Sequence, residues 1–161
     1  MEPQEIGIIS DTHGLLRPEA LEALRGVSLI LHAGDVGGPE ILQNLAMIAP
    51  VHAVRGNTDS GPGAGELPLE YVVPVNGCEI YMRHILEDLD LDPAAAGFAA
   101  VITGHTHKPK IAQRDGVVYL NPGAAGHRRF NLPATVARAW VEPGRFEPRI
   151  IELEPAHGKA D

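Results

Sequence analysis

Five apolar runs in this chain end in the same way, and that recurrence limits the fold more than any other feature. Glu5-Ile6-Gly7-Ile8-Ile9-Ser10 stops at Asp11-Thr12-His13-Gly14. The run at 27–32 stops at Ala33-Gly34-Asp35, and the run at 51–55 stops at Gly56-Asn57-Thr58-Asp59. The run at 78–82 gives way to Arg83-His84, and the run at 98–102 to Thr103-Gly104-His105-Thr106-His107. Each exit offers an oxygen or imidazole nitrogen able to bind a metal, on backbone fixed by a buried strand. A fold that gathers these exits at one edge satisfies the whole pattern, since open sheets place ligand sites at the carboxyl ends of strands.

The intervening segments supply helices. Pro18 stands at a first-turn position, Leu21 and Leu24 lie three apart, and Gly26 stops the run. Pro39 opens a second helix from residue 40 to about 48, with Ile41, Leu42, Leu45 and Ile48 on one face. The first third is therefore βαβαβ, the pattern of parallel strands covered by helices. Residues 60–68, rich in glycine and proline, form a loop near the gathered exits. Asn76-Gly77 and Asp115-Gly116 mark type I′ hairpins, and Glu142-Pro143-Gly144-Arg145 joins a third. Residues 93–97 suit a short helix. So many strands call for two stacked mixed sheets with helices outside, an α/β architecture.

A chain of 161 residues fits one domain, taken as 1–155 with a tail at 156–161. No apolar run approaches the roughly 20 residues that span a bilayer. With no basic leader and a single cysteine, Cys78, the cytoplasm is the expected location. A net charge of −8 disfavours an anionic membrane or a long nucleic-acid track as partner.

Taken singly, Asp11, Asp35 and Asn57 read as caps of the turns that follow strands. Together with His13, His84, His105 and His107 they make a nitrogen and oxygen donor set without cysteine. Such a set suits manganese, iron, zinc, cobalt or nickel. Seven donors are too many for one four-coordinate zinc, and about right for two metals sharing a bridging carboxylate. His105 and His107, two apart, share a face of an extended segment. His32 and His52 sit inside strand runs and read as ordinary packed or surface residues; His127 fits no ligand position.

These motifs, in this order from residue 11 to about 129, resemble those of the calcineurin-like metallophosphoesterases, and especially their small capless bacterial and archaeal members. Asn121-Pro122-Gly123-Ala124 resembles the Asn-Pro-Gly-Ser of those members. The resemblance implies a four-layer αββα sandwich with a dinuclear centre. It assigns Asp11, His13 and His107 to one metal, Asn57, His84 and His105 to the other, and Asp35 to both. Asp59 takes the place of a supporting acid that orients a group of the site. The implied cofactors are two divalent ions, manganese first, with iron, zinc, nickel or cobalt as alternatives. The implied reaction is hydrolysis of a small phosphate ester by metal-activated hydroxide, of a diester rather than a monoester, with Asp35, Asn57, Asp59 and His84 in catalytic roles.

The chain also departs from the family pattern. Thr58 stands where many members have a histidine that protonates the leaving group, which favours leaving groups of low pKa. Ile85 replaces a usual glycine, and Ala124 a serine. Arg128 and Arg129, just past the Asn-Pro-Gly turn, are candidates to meet a substrate anion alongside Asn57. The small members also resemble the phosphoesterase-like subunit of retromer, so a non-catalytic interaction scaffold is the competing reading. An edge strand near the C-terminal hairpin is where a homodimer would pair.

Overall fold

The computed structural model describes residues 2–128 and 131–153. β1 (Gln4–Ile9), β2 (Ile30–His32) and β3 (Val51–Ala53) are parallel, linked by α1 (Pro18–Ala23) and α2 (Pro39–Leu45). A second group follows: β4 (Glu70–Val75), β5 (Cys78–Arg83), β6 (Ala100–Ile102), β7 (Lys110–Arg114) and β8 (Val117–Asn121). The chain then returns to the first sheet as β9 (Thr135–Glu142) and β10 (Arg145–Glu152). The first sheet runs β10-β9-β1-β2-β3 and the second β4-β5-β6-β8-β7. Both are mixed. In the first, β9 pairs antiparallel with β1; in the second, β5, β6 and β8 are parallel and the hairpins antiparallel. The two stacked α/β sheets expected from the sequence are present.

The burial follows the patterning. Ile6, Ile8, Leu31, Ile80, Met82, Ile102, Leu120 and the inward residues of β9, Ala137, Ala139 and Val141, meet between the sheets. The alanines on β9 let the sheets approach there. On the outer side of the first sheet, Ile9, Ile30 and Val136 pack under Ala20, Ile41 and Leu45 of the two helices and Leu24 at the end of the first. Both faces of β1 are thus covered, which is why it reads as a continuous apolar run rather than an alternation.

The outer layer of the second sheet is thinner. Tyr81, Val101 and Val117 are covered by Leu86, Leu89 and Phe98, which sit on a short 3-10 segment, Leu86–Asp88, and on neighbouring turns. The helix expected at 93–97 is a hydrogen-bonded turn instead. Asp92 accepts from Ala94 and Ala95, Phe98 N–H reaches back to Pro93, and Gly97 takes φ 82°. Five residues cannot repay helix nucleation once the chain must turn into β6. The second helix also ends earlier than expected, at Leu45, and continues to Ile48 as a turn. The type I′ hairpins form as expected: Asn76 and Gly77 have φ 46° and 85°, Asp115 and Gly116 52° and 80°. Among the described residues no helix is long and apolar enough to cross a membrane.

Candidate metal centre

The parallel strands of both sheets end at one edge of the sandwich, and their exits converge there. The ladder between β1 and β2 continues past the strand ends. Asp11 N–H donates to Gly34 O at 3.0 Å, His13 N–H to Asp35 O at 2.9 Å and Gly14 N–H to Val36 O at 2.9 Å. The backbone at the exits is unusual. Asp11, His13, Asp35, His105 and His107 all take left-handed φ, between 47° and 74°. Among the described residues, the two other such residues that are not glycine are the hairpin residues Asn76 and Asp115. Strain of about 1–3 kcal/mol per residue is retained where the surroundings impose it, and it gathers at functional sites.

Two groups form. Asp11, His13 and His107 bring one ligand atom each within 4.8 Å of one another, and so do Asp35, His84 and His105. Each carboxylate is built alike. Asp11 Oδ2 accepts from Ser10 Oγ at 2.6 Å and from His105 N–H at 3.0 Å, while Oδ1 faces His107 Nε2 at 3.3 Å and His13 Nε2 at 3.6 Å. Asp35 Oδ1 accepts from Thr58 N–H at 2.9 Å, while Oδ2 faces His84 Nε2 at 3.2 Å and His13 Nε2 at 3.5 Å. One oxygen is tied and the other is delivered to the histidines. Asp35 reaches a histidine of each group.

His84 is oriented by Ala33. Its Nδ1 lies 2.7 Å from that carbonyl, which can only accept, so Nδ1 carries the proton and Nε2 presents its lone pair when the ring is neutral. Asp11 Oδ1 and His84 Nε2 are buried and make no hydrogen bond. The facing distances of 3.2–3.6 Å are edges expected around a cation that bonds each atom at about 2.1 Å. Exposed Asn57 accepts a hydrogen bond through Oδ1 from His105 Nδ1–H at 3.1 Å, which leaves His105 Nε2 unprotonated when the ring is neutral. The residues present therefore fit divalent metal ions.

Charge is arranged to match. Burial pushes Asp11 up, but its contacts with His107, His13 and Ser10 outweigh that and hold it well below the usual carboxylate range. Burial also raises Asp35, yet His84 and Thr58 bring it down to about 2. Burial lowers His84, but Asp35 and Asp11 carry it above the ordinary imidazole value. The raised His84 favours a proton on the nitrogen that would face a cation, so metal binding there competes with protonation.

Supporting contacts hold the loops. Asp59 accepts from Val36, Gly37 and Gly56 N–H at 3.2, 3.1 and 2.9 Å, tying the loops after β2 and β3 together. Asn121 donates to Gly104 O at 2.9 Å and Thr106 Oγ1 at 3.1 Å, which clamps the loop carrying His105 and His107. Ile85 is extended at φ −108°, so no glycine is needed there. Ala124 is buried, and its carbonyl accepts from Thr135 N–H. Arg128 is half-buried and donates to the Leu132 carbonyl at 3.4 Å; Arg129 and the expected tail at 156–161 lie outside the described residues. His52 stacks on Tyr71, away from both groups, and His127 is exposed.

Ser10 and His32 have roles at the centre that their strand-like sequence context does not announce. His32 is fully buried beneath the centre. Its Nδ1 accepts from Gly34 N–H at 3.1 Å, so Nε2–H donates to Thr12 Oγ1 at 3.0 Å, and Thr12 donates to Val36 O at 2.7 Å. The signal was Thr12, a hydroxyl held between two site residues. Burial pushes His32 down to about 4. Between pH 6.5 and 4 the unfolded chain binds this proton and the folded chain does not, so stability falls as pH falls through that window. The difference is worth about 3 kcal/mol. His84 acts with the opposite sign, and only above its ordinary value, near 6.5; Asp11 and Asp35 contribute only below theirs, near 3.9. Urea unfolding of chelated protein should show the loss, and His32→Gln should flatten it. An equally steep profile in the variant would remove His32 as its source.

A sandwich of two mixed sheets with carboxylates and histidines gathered at its strand exits defines a metal-site phosphoesterase class. The chain belongs to the calcineurin-like phosphoesterase superfamily, whose domain model matches residues 5–144. A probable metallophosphoesterase of Methanothermobacter thermautotrophicus is 38% identical over 158 residues, covering 91% of each chain. Among solved structures, a novel archaeal phosphodiesterase superposes with a TM-score of 0.76 at 22% identity, covering 91% of this chain and 99% of that one. Vacuolar protein sorting 29 from Cryptosporidium parvum gives 0.73 at 20% identity, covering 95% and 99%. The structural likenesses support the fold, and the family implies divalent metals at a site that has two candidate groups.

Proposed function

We propose that this protein is a cytoplasmic, manganese-favouring phosphodiesterase with a dinuclear centre. The observation that carries the reading is the paired construction of Asp11 and Asp35, each with one oxygen anchored and the other set among histidines. Asp11, His13 and His107 would hold one cation, Asn57, His84 and His105 the other, and Asp35 both. When bound, the cations supply a nucleophile at neutral pH and neutralise charge on the phosphoryl oxygens. The chain's own part is positional. Ala33 fixes the His84 ring, Asp59 fixes the spacing of two loops, and Asn57 stands exposed at the mouth, where it can also meet substrate. Arg128 is proposed to approach the substrate anion, with Arg129 beside it in sequence. Thr58 gives Asp35 a backbone donor and no imidazole to the leaving group, so good leaving groups are favoured.

The test is hydrolysis of a chromogenic diester and its matching monoester by chelated protein, after adding manganese, nickel, zinc or magnesium singly. The expected result is metal-restored activity, higher on the diester, that His107→Ala abolishes. A scaffold on the same fold is the second reading, favoured by exposed Leu69, Tyr71 and Val72 at β4, an edge of the second sheet. Neither activity nor stoichiometric metal would establish it in place of the enzyme.

A further inference from the structure

We propose that a cavity behind the His105–His107 loop is an organic-phosphate subsite, which holds the non-scissile end of a nucleotide-class substrate. The proposal rests on the phosphodiesterase reading for its link to catalysis. The cavity, about 320 Å³, lies at the lower end of the ligand-pocket range, about 300–1,000 Å³. It suits a mononucleotide-sized group rather than a polymer.

Its wall is one face of the β7–β8 hairpin. Side chains two apart share a strand face, and Lys110, Ala112 and Arg114 line the cavity at that spacing, with Lys108 continuing the period before the strand. The chain has only three lysines, and two of them are here. None of the three cations makes an ion pair among the described residues, on a protein of net charge −8. Glu87 is the one acid on the lining. Ala112 lies opposite Tyr119, where its small side chain leaves room between the cations. Leu86 and Tyr119 provide an apolar floor. The Arg114 guanidinium lies 4.7 Å over the Tyr119 ring, a flat cationic and aromatic surface of the kind on which a planar base stacks.

The cavity also touches the metal centre's own loop. Gly104 and Thr106 line it, while His105 and His107, at the alternate positions, belong to the two metal groups. Asn121, on the cavity wall, bonds to that same loop. A diester over the centre would cross Thr106 to place a second phosphate among Lys108, Lys110 and Arg114, with its base toward Tyr119.

The experiment uses the full chain, both metal-loaded and chelated, and adenosine 5′-monophosphate as the probe. Calorimetry on the chelated chain should show one binding site, weakened at least about tenfold in Lys108→Gln/Lys110→Gln and retained in Asp35→Ala; adenosine and inorganic phosphate should each bind more weakly than the nucleotide. On metal-loaded protein, a dinucleotide with a 5′-terminal phosphate should be preferred over the same dinucleotide without it. The double variant should erase that preference by raising KM with kcat kept. No nucleotide binding to chelated protein, or equal binding by the double variant, overturns the subsite. Binding that depends on the lysines with no effect on the dinucleotide preference overturns its assignment to substrate. If no diester is hydrolysed at all, the phosphodiesterase reading fails, and the calorimetry alone decides whether the cavity takes organic phosphates.

Discussion

Asp35→Asn is expected to lower kcat/KM for diester hydrolysis by about a thousandfold or more, the scale of losing a principal charge-stabilising group. It should also reduce tightly bound metal to one ion per chain or none. The free oxygen of Asp35 lies 3.5 Å from His13 and 3.2 Å from His84, one histidine of each group, whereas the free oxygen of Asp11 comes only within 3.8 Å of His84. Asparagine keeps the shape and an oxygen for the Thr58 N–H, but it loses the charge and turns an amide toward the centre. His84 then loses the principal partner that raises its protonation against burial, so its ring should titrate lower in the chelated variant. Folding should survive. Metal content by mass spectrometry, hydrolysis and the thermal midpoint together test the claim. Asp59→Asn is the contrast. It acts through the three backbone donors it holds, so about a 10- to 100-fold loss in metal affinity or activity is expected. Wild-type metal stoichiometry and activity in Asp35→Asn would refute the bridging role.

Much of this centre could be read from residue order because strands and exits are local patterns. The run 5–10 is apolar because both faces of β1 are covered, and it ends where the chain must leave the core. Asn76-Gly77 and Asp115-Gly116 announce hairpins because only a few residues accept φ > 0 twice in succession. The left-handed backbone at Asp11, His13, Asp35, His105 and His107 was not legible. It depends on how the loops at the strand exits pack together, and these residue types mark no such strain by themselves. His32 was hidden for a related reason. Its sequence context is an ordinary strand, and its role depends on a hydroxyl 20 positions away. The helix expected at 93–97 failed because Pro93 and three alanines satisfy local preference, while the entry into β6 allows only a turn. The cationic stripe at 108, 110 and 114 was written in the chain, but its meaning depends on a cavity that only the hairpin and the 3-10 segment create together.

The second large effect is expected at a residue with no side chain. A methyl added at Gly104 would fall 2.1 Å from Ser10 Oγ and 2.6 Å from Asp11 Oδ2, the atoms that hold Asp11 in place. It would also press on His84 Nδ1 at 3.2 Å. Neither neighbour is a flexible surface tip. Ser10 and Asp11 are fully buried, and the His84 ring is held by the Ala33 carbonyl. Gly104→Ala should therefore cost about 1–3 kcal/mol by overpacking, a fall in thermal midpoint of about 2–12 °C for a chain this size. Its second effect distinguishes it from a simple packing defect. Moving Asp11 Oδ2 turns Oδ1 away from His107 and His13, so metal affinity should drop about 10- to 100-fold even where the fold survives. Gly61→Ala supplies the comparison. Gly61 has φ 76° with nothing within 4 Å of the added carbon, so the variant should carry backbone strain alone and bind metal as the parent does. Competition titration against a metallochromic chelator, at a temperature where both variants are folded, separates the two costs. If Gly104→Ala binds metal as tightly as Gly61→Ala, Ser10 and Gly104 do not set the aim of Asp11.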